Sequence, residues 1–166
     1  RTCVQAVLAH RPGMRDPLPG KGAWYVLAQL DDCGSPAALE GLLQGALGES
    51  NAVIAKNEAE SNALWAIRES VPEAQFANVK HDISLPISRI AEFIARTASN
   101  LAKSFPDKPI FCFGHVGDGN LHYNVGDKAL NARRAEVNGV VYKAVAELGG
   151  SISAEHGLGQ LKREEI

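Results

Sequence analysis

The segment IFCFGHVGDGNLHYNV, Ile110 to Val125, sets two β-favouring runs on either side of Asp118-Gly119. That dipeptide is a strong two-residue hairpin signal, because a type I′ turn needs positive φ at both of its central residues. Strands joined in this way are antiparallel neighbours. Strands and helices otherwise alternate along the chain, so the expectation is an α+β sandwich with helices on one face of a mainly antiparallel sheet, ferredoxin-like in arrangement.

Working outward from the hairpin, Val79 to Leu85 alternates Val79, His81, Ile83 and Leu85 against Lys80, Asp82 and Ser84, the pattern of a half-buried strand. Pro86 opens a helix carrying Ile87, Ile90, Ala91, Ile94, Ala98 and Leu101. A further helix is expected from about Asn131 to Leu148, with Val137, Val140, Val141, Ala144 and Leu148 inward and Gly149-Gly150 at its end. Asn57, followed three residues on by Glu60, caps a helix with the apolar face Leu64, Ile67 and Val71 that stops before Pro72. Nearer the start, Trp24–Leu30 and Asn51–Ala55 read as strands. They flank a turn at Asp31–Gly34 and a helix from Ser35-Pro36 to Gly48 whose inner face is Leu39, Leu42, Leu43, Ala46 and Leu47, which together make a β-α-β unit.

Composition bounds the function. The chain has 166 residues, 45% of them hydrophobic and 22% charged, enough for one sizeable core and a single domain over residues 1–166. Its 17 basic and 19 acidic residues form no block of either sign, so nucleic acid is not an expected partner. No apolar run approaches the roughly 20 residues of a spanning helix, and the chain reads as a soluble protein. Cys3, Cys33 and Cys112 are odd in number and widely spaced, which fits reduced thiols in a reducing compartment. Arg1 at the start and the helix-like Lys162–Ile166 at the finish read as the ends of a fragment.

The hairpin also carries chemistry. Counted outward from Asp118-Gly119, Gly117 faces Asn120, Val116 faces Leu121 and His115 faces His122. Directly opposed residues on one face have Cβ atoms about 5 Å apart, so the two imidazoles would converge. Asn120 and Asn124 share the face of His122. A third ligand could come from Glu155, in the glycine-rich Ala154–Gly159, where the backbone can approach a ligand closely. Two imidazoles and a carboxylate suit zinc, manganese or iron with a position open for substrate. The plainer alternative is a cross-strand polar pair on a solvated face and an ordinary polar loop.

The strings GHVGDGNLHYNV (Gly114–Val125) and SAEHGLGQLK (Ser153–Lys162), in this order, resemble the C-terminal domain of FAD-linked oxidases of the vanillyl-alcohol oxidase superfamily. Within it they are most similar to D-lactate, D-2-hydroxyglutarate and glycolate dehydrogenases. NALWAIRES (Asn62–Ser70) and NVKHDISLP (Asn78–Pro86) extend the resemblance back to about Trp24.

The resemblance implies FAD-dependent oxidation of a D-2-hydroxy acid, with His115, His122 and Glu155 as metal ligands and His156 as the general base. A divalent ion there would grip the substrate's 2-hydroxyl and carboxylate oxygens and ease loss of the hydroxyl proton. Arg68, Lys80 and Asn124 match substrate-binding positions, and Arg68 is the better carboxylate clamp because only a guanidinium pairs in a two-pronged way. For each, the plainer alternative is a solvated charge or a backbone-bonded amide. The family's flavin is held mainly by an N-terminal domain that these residues do not contain, so hydride transfer is not expected of this chain alone.

An electron acceptor of the electron-transfer flavoprotein, quinone or cytochrome kind is implied, with a homodimer as the oligomer to expect. The setting would be cytoplasmic or peripheral to the inner membrane, mitochondrial in a eukaryote. Two readings from other classes compete: a stand-alone metal-dependent hydrolase built on the His-His-Glu set, and a non-catalytic ferredoxin-like binding module.

Overall fold

A computed structural model describes residues 1–18, 20, 22–29, 35–47, 51–75 and 79–154. They gather into two compact units, one of Arg1 and Cys3–Ala74, the other of Thr2 and the chain from Gln75 onward.

The first unit is helical where it is regular. Helices α1 (Thr2–His10), α2 (Pro36–Leu47), α3 (Glu58–Glu69) and α4 (Val71–Ala74) follow one another. The start of α3 is set by side chains. Asn57 Oδ1 accepts the Glu60 N–H at 2.9 Å, one of the end amides that the helix cannot satisfy, and Glu60 Oε2 reaches back to accept the N–H of Lys56, just before the cap, at 2.8 Å. Ile67 and Val71 of the expected apolar face are buried. Helix α2 falls where its cap and proline place it, while the side chains of its apolar face, Gly48 and the Asp31–Gly34 turn lie outside the described residues.

The expected β-α-β unit is not formed. Residues 24–29 and 51–56 carry no strand, and Leu30 lies outside the described residues. The physical reason is in their exposure. Trp24, Val26 and Val53 are 56%, 83% and 51% exposed, whereas β-propensity expresses itself on a pleated surface that is half buried against neighbours.

The second unit holds the sheet. Strand β1 (Asp82–Ser84) leads through a 3-10 turn at Ile87–Arg89 into α5 (Ile90–Ser104). Then come β2 (Ile110–His115), β3 (Asn120–Val125), a 3-10 segment at Lys128–Arg133 and α6 (Arg134–Glu147). The strands lie in the order β1-β3-β2, every pair antiparallel. Beyond α6, Ser151 exchanges two backbone hydrogen bonds of 2.9 Å with Ser84 on the free side of β1. The order Ser151, β1, β3, β2 is that of the split β-α-β-β-α-β arrangement, so the ferredoxin-like α+β expectation holds for this unit.

Its core lies under one face. Val79, Ile83 and Leu85 with Leu121, Tyr123 and Val125 meet Phe93 and Leu101 of α5 and Val137, Val141 and Val145 of α6. Burying one such side chain is worth about 1.5–3 kcal/mol. The α5 stripe keeps Ile90, Ile94 and Leu101 of the expected set against the core and otherwise differs. Phe93, Thr97 and Leu101 are the buried residues, whereas Ile87 is 54% exposed and Ala91 is exposed. The first turn is 3-10, with three residues per turn instead of 3.6, and the helical phase therefore starts only at Ile90. Cys3 and Cys112 form no disulfide among the described residues, and Cys33 lies outside them. No described helix is long and apolar enough to cross a membrane.

Candidate functional site

The hairpin forms between the expected strands, but with a different turn. Val116–Asp118 make one 3-10 turn and Gly119 alone takes positive φ, at 74°. Asp118 stays right-handed because its Oδ1 accepts the Asn120 N–H at 3.1 Å, a side-chain bond that closes the turn without a left-handed aspartate. The Gly119 N–H closes the other bond, to the Val116 carbonyl at 3.2 Å. A four-residue loop thus replaces the two-residue one.

The longer loop moves the register by two residues. His115 faces Asn120, Gly114 faces Leu121 and Phe113 faces His122, correcting the expected His115–His122 pairing. A shift of two keeps every side chain on its own face. His115 and His122 therefore share a face, as expected, but as diagonal neighbours separated by about 7–8 Å at the backbone in place of a direct pair.

Register across all three strands turns this face into a grid. In the middle row Asp82 of β1, His122 of β3 and Phe113 of β2 lie side by side. The row toward the hairpin loop holds Ser84, Asn120 and His115. In the third row Asn124 faces Phe111, and Lys80 falls opposite Asn124, between the Val79–Val125 bridge and the Asp82–His122 pair. Four of the residues singled out from the sequence, Lys80, His115, His122 and Asn124, thus stand on one surface, turned away from the core.

His122 is held between its row-mates. Its ring lies 4.7 Å from that of Phe113 with a 31° tilt, and its Nδ1 is 3.9 Å from Asp82 Oδ1. Asn124 is 4% exposed and bonded at both ends of its amide. Its Oδ1 accepts the His81 N–H at 3.1 Å, and its Nδ2 donates to Gln75 Oε1 at 3.0 Å. Lys80 and His115 are exposed.

The opposite face behaves as core. His81, buried beside Tyr123, donates from Nδ1 to the Tyr123 carbonyl at 2.7 Å, and its Nε2 meets the Asn138 side chain at 3.0 Å, which ties the sheet to α6. Burial, and secondarily Cys112, pushes the Tyr123 hydroxyl far above the ordinary phenol range, so it stays a neutral core group.

Arg68 stands in the last turn of α3 in the first unit, half-buried. Glu155 and His156 lie outside the described residues. Among the described residues no three of His, Cys, Asp and Glu are grouped as a metal site would require. His115 and His122 do offer two imidazoles to one surface, a donor pair that suits a divalent ion once a carboxylate joins it. Asp82, Phe113, Gln75 and His81 were not singled out from the sequence. Period-two alternation puts Asp82 on the face of Lys80, but only the pairing of β1 with β3 puts it beside His122.

The chain matches the family model for the C-terminal domain of FAD linked oxidases over residues 1–166. It is 33% identical to a D-2-hydroxyglutarate dehydrogenase of Xanthomonas citri pv. viticola, covering 98% of this chain and 37% of that protein. Against the mitochondrial D-2-hydroxyglutarate dehydrogenase of Arabidopsis thaliana it is 33% identical over 98% of this chain and 30% of the relative. A Schizosaccharomyces pombe protein provisionally named a mitochondrial D-lactate dehydrogenase is 32% identical over 96% of the chain and 34% of its own length. The chain thus spans about a third of the length of these relatives.

Proposed function

The chain belongs to the FAD-linked oxidases as their C-terminal domain, and from that premise we propose that it is the substrate-binding part of an enzyme oxidising a D-2-hydroxy acid to the 2-oxo acid. The names of its relatives favour D-2-hydroxyglutarate, with D-lactate next and a glycolate-type substrate also within the class. The observation that carries the reading is the shared face. Lys80, distant in sequence, and the hairpin residues His115, His122 and Asn124 stand on one side of the sheet. Family membership favours an oxidoreductase over the hydrolase and the non-catalytic module.

The reaction removes a proton from the 2-hydroxyl and a hydride from C2. When bound, FAD, which the family holds mainly through its N-terminal domain, would accept the hydride, and His156 would take the proton. Arg68 and Lys80 bind substrate carboxylates, Arg68 by the two-pronged contact that guanidinium geometry allows. Asn124 contributes a rigid amide beneath Lys80, its orientation set by His81 and Gln75. His115, His122 and Glu155 would hold a divalent zinc, manganese or iron ion, whose charge favours ionisation of the substrate hydroxyl. Electrons would leave to an electron-transfer flavoprotein, quinone or cytochrome. A mitochondrial setting is proposed if the source is eukaryotic, as the relatives' names have it, and a cytoplasmic or inner-membrane-peripheral one otherwise.

The test is anaerobic mixing of the flavin-loaded enzyme that contains this chain with D- and L-2-hydroxy acids. Flavin absorbance should bleach with a D-isomer and not with its L-counterpart. Absence of bleaching with any D-2-hydroxy acid would overturn the reading.

A further inference from the structure

We propose that Asp82 is a positioning residue for His122, holding the ring so that Nδ1 carries the proton and Nε2 carries the lone pair that a ligand atom needs. The inference rests on the reading of His122 as a metal ligand.

Three observations carry it. First, Asp82 is the direct cross-strand partner of His122, and Nδ1 is the ring nitrogen facing its carboxylate, at 3.9 Å. That is too long for a hydrogen bond, but a small side-chain rotation closes it. Second, Phe113 packs against the ring from the other neighbouring strand, which leaves the imidazole little room to swing away from Asp82. Third, the carboxylate has a fixed origin. Asp82 sits between His81 and Ile83, both essentially wholly buried, and its side chain is 13% exposed against 24% for His122.

An anion in so sheltered a place acts through a lower effective dielectric than water. A carboxylate accepting from Nδ1–H selects that tautomer over the Nε2–H form that histidine otherwise favours, and it raises the basicity of the remaining nitrogen. Lys80 and Ser84 flank Asp82 on the same face of β1.

The experiment uses the flavin-loaded enzyme containing this chain and measures zinc affinity by competition with a chromophoric chelator, alongside 15N spectra of the histidine rings in the metal-free protein. Asp82→Ala should weaken zinc binding about 10- to 100-fold at unchanged stoichiometry, the range typical of losing such a partner. The isosteric Asp82→Asn, which protects against misfolding as an explanation, should fall in between. The His122 ring should change from the Nδ1–H pattern toward Nε2–H in both variants. His122→Ala should lose most of the zinc. If His122→Ala loses zinc while both Asp82 variants keep the wild-type affinity and ring pattern, the role of Asp82 is overturned and His122 stands as a ligand. If His122→Ala keeps full zinc, the ligand reading falls and this inference falls with it.

Discussion

Phe113 and His122 stand face to face across β2 and β3, ring centroids 4.7 Å apart and tilted by 31°. A phenyl ring thus occupies the place that a symmetric count around Asp118-Gly119 assigns to the imidazole of His115. An aromatic pair of this kind adds about 0.5–1.5 kcal/mol beyond its burial. Phe113→Ala should therefore lower the unfolding free energy by about 1–3 kcal/mol in urea titrations. It should also weaken divalent-metal binding, because the His122 ring gains freedom. Wild-type metal affinity in a destabilised Phe113→Ala protein would show that the stack supports the fold alone.

Diagonal placement leaves His115 and His122 on one face, and as ligands of one ion they should act as a unit. Single substitutions, His115→Ala or His122→Ala, should each remove most of the metal, and the double variant should lose little more in kcat/KM than either single one. Elemental analysis beside steady-state kinetics on a D-2-hydroxy acid decides this. Additive losses, or full metal occupancy without His122, would separate the two residues.

Arg68 is expected to bind substrate and not metal. Arg68→Ala should leave metal content unchanged and reduce kcat/KM by about 2–4 kcal/mol, the cost of leaving a partner carboxylate unpaired, expressed mainly in KM. Arg68→Lys should recover only part, since an ammonium cannot reproduce the two-pronged contact. Metal loss in the Arg68→Ala enzyme would contradict the division of labour.

Gly119 joins the hairpin loop to the strand beside it. Its carbonyl accepts the Leu85 N–H at 3.0 Å, its φ is 74°, and a Cβ there would collide with the Leu85 carbonyl oxygen. Gly119→Ala should cost about 2 kcal/mol or more, combining left-handed strain with a displaced backbone. Gly117→Ala, two residues earlier, meets nothing within 4 Å and should stay within about 0.5 kcal/mol. Equal stabilities in thermal melts of the two variants would refute this account of the turn.

Parts of both units are legible in the sequence itself. Alternation from Val79 to Leu85 reports a half-buried strand, Asn57 with Glu60 reports a helix start, and the runs around Asp118-Gly119 report a hairpin. Each of these signals is local, written in neighbouring residues and read by elementary geometry. The same logic misreads residues 24–29 and 51–55. Their composition is that of strands, yet a strand needs a partner, and no local pattern says whether one will be there.

Within the site, the sequence by itself determined which face each side chain takes, because strand periodicity is two and a slip of two residues leaves every face unchanged. For that reason His115, His122 and Asn124 could be assigned to one surface with the register still wrong, whereas Lys80 joins them only through the pairing of β1 with β3. Which residues are neighbours on that surface was decided only by tertiary structure. The Asp118 side chain and the Leu85–Gly119 bond select the four-residue loop, and the pairing of β1 with β3 brings in a strand that follows no turn signal. Asp82 and Phe113 reach His122 through those long-range choices. The Leu85–Gly119 bond and the β1–β3 pairing join segments far apart in the chain, and a reading confined to adjacent residues has no access to their energy.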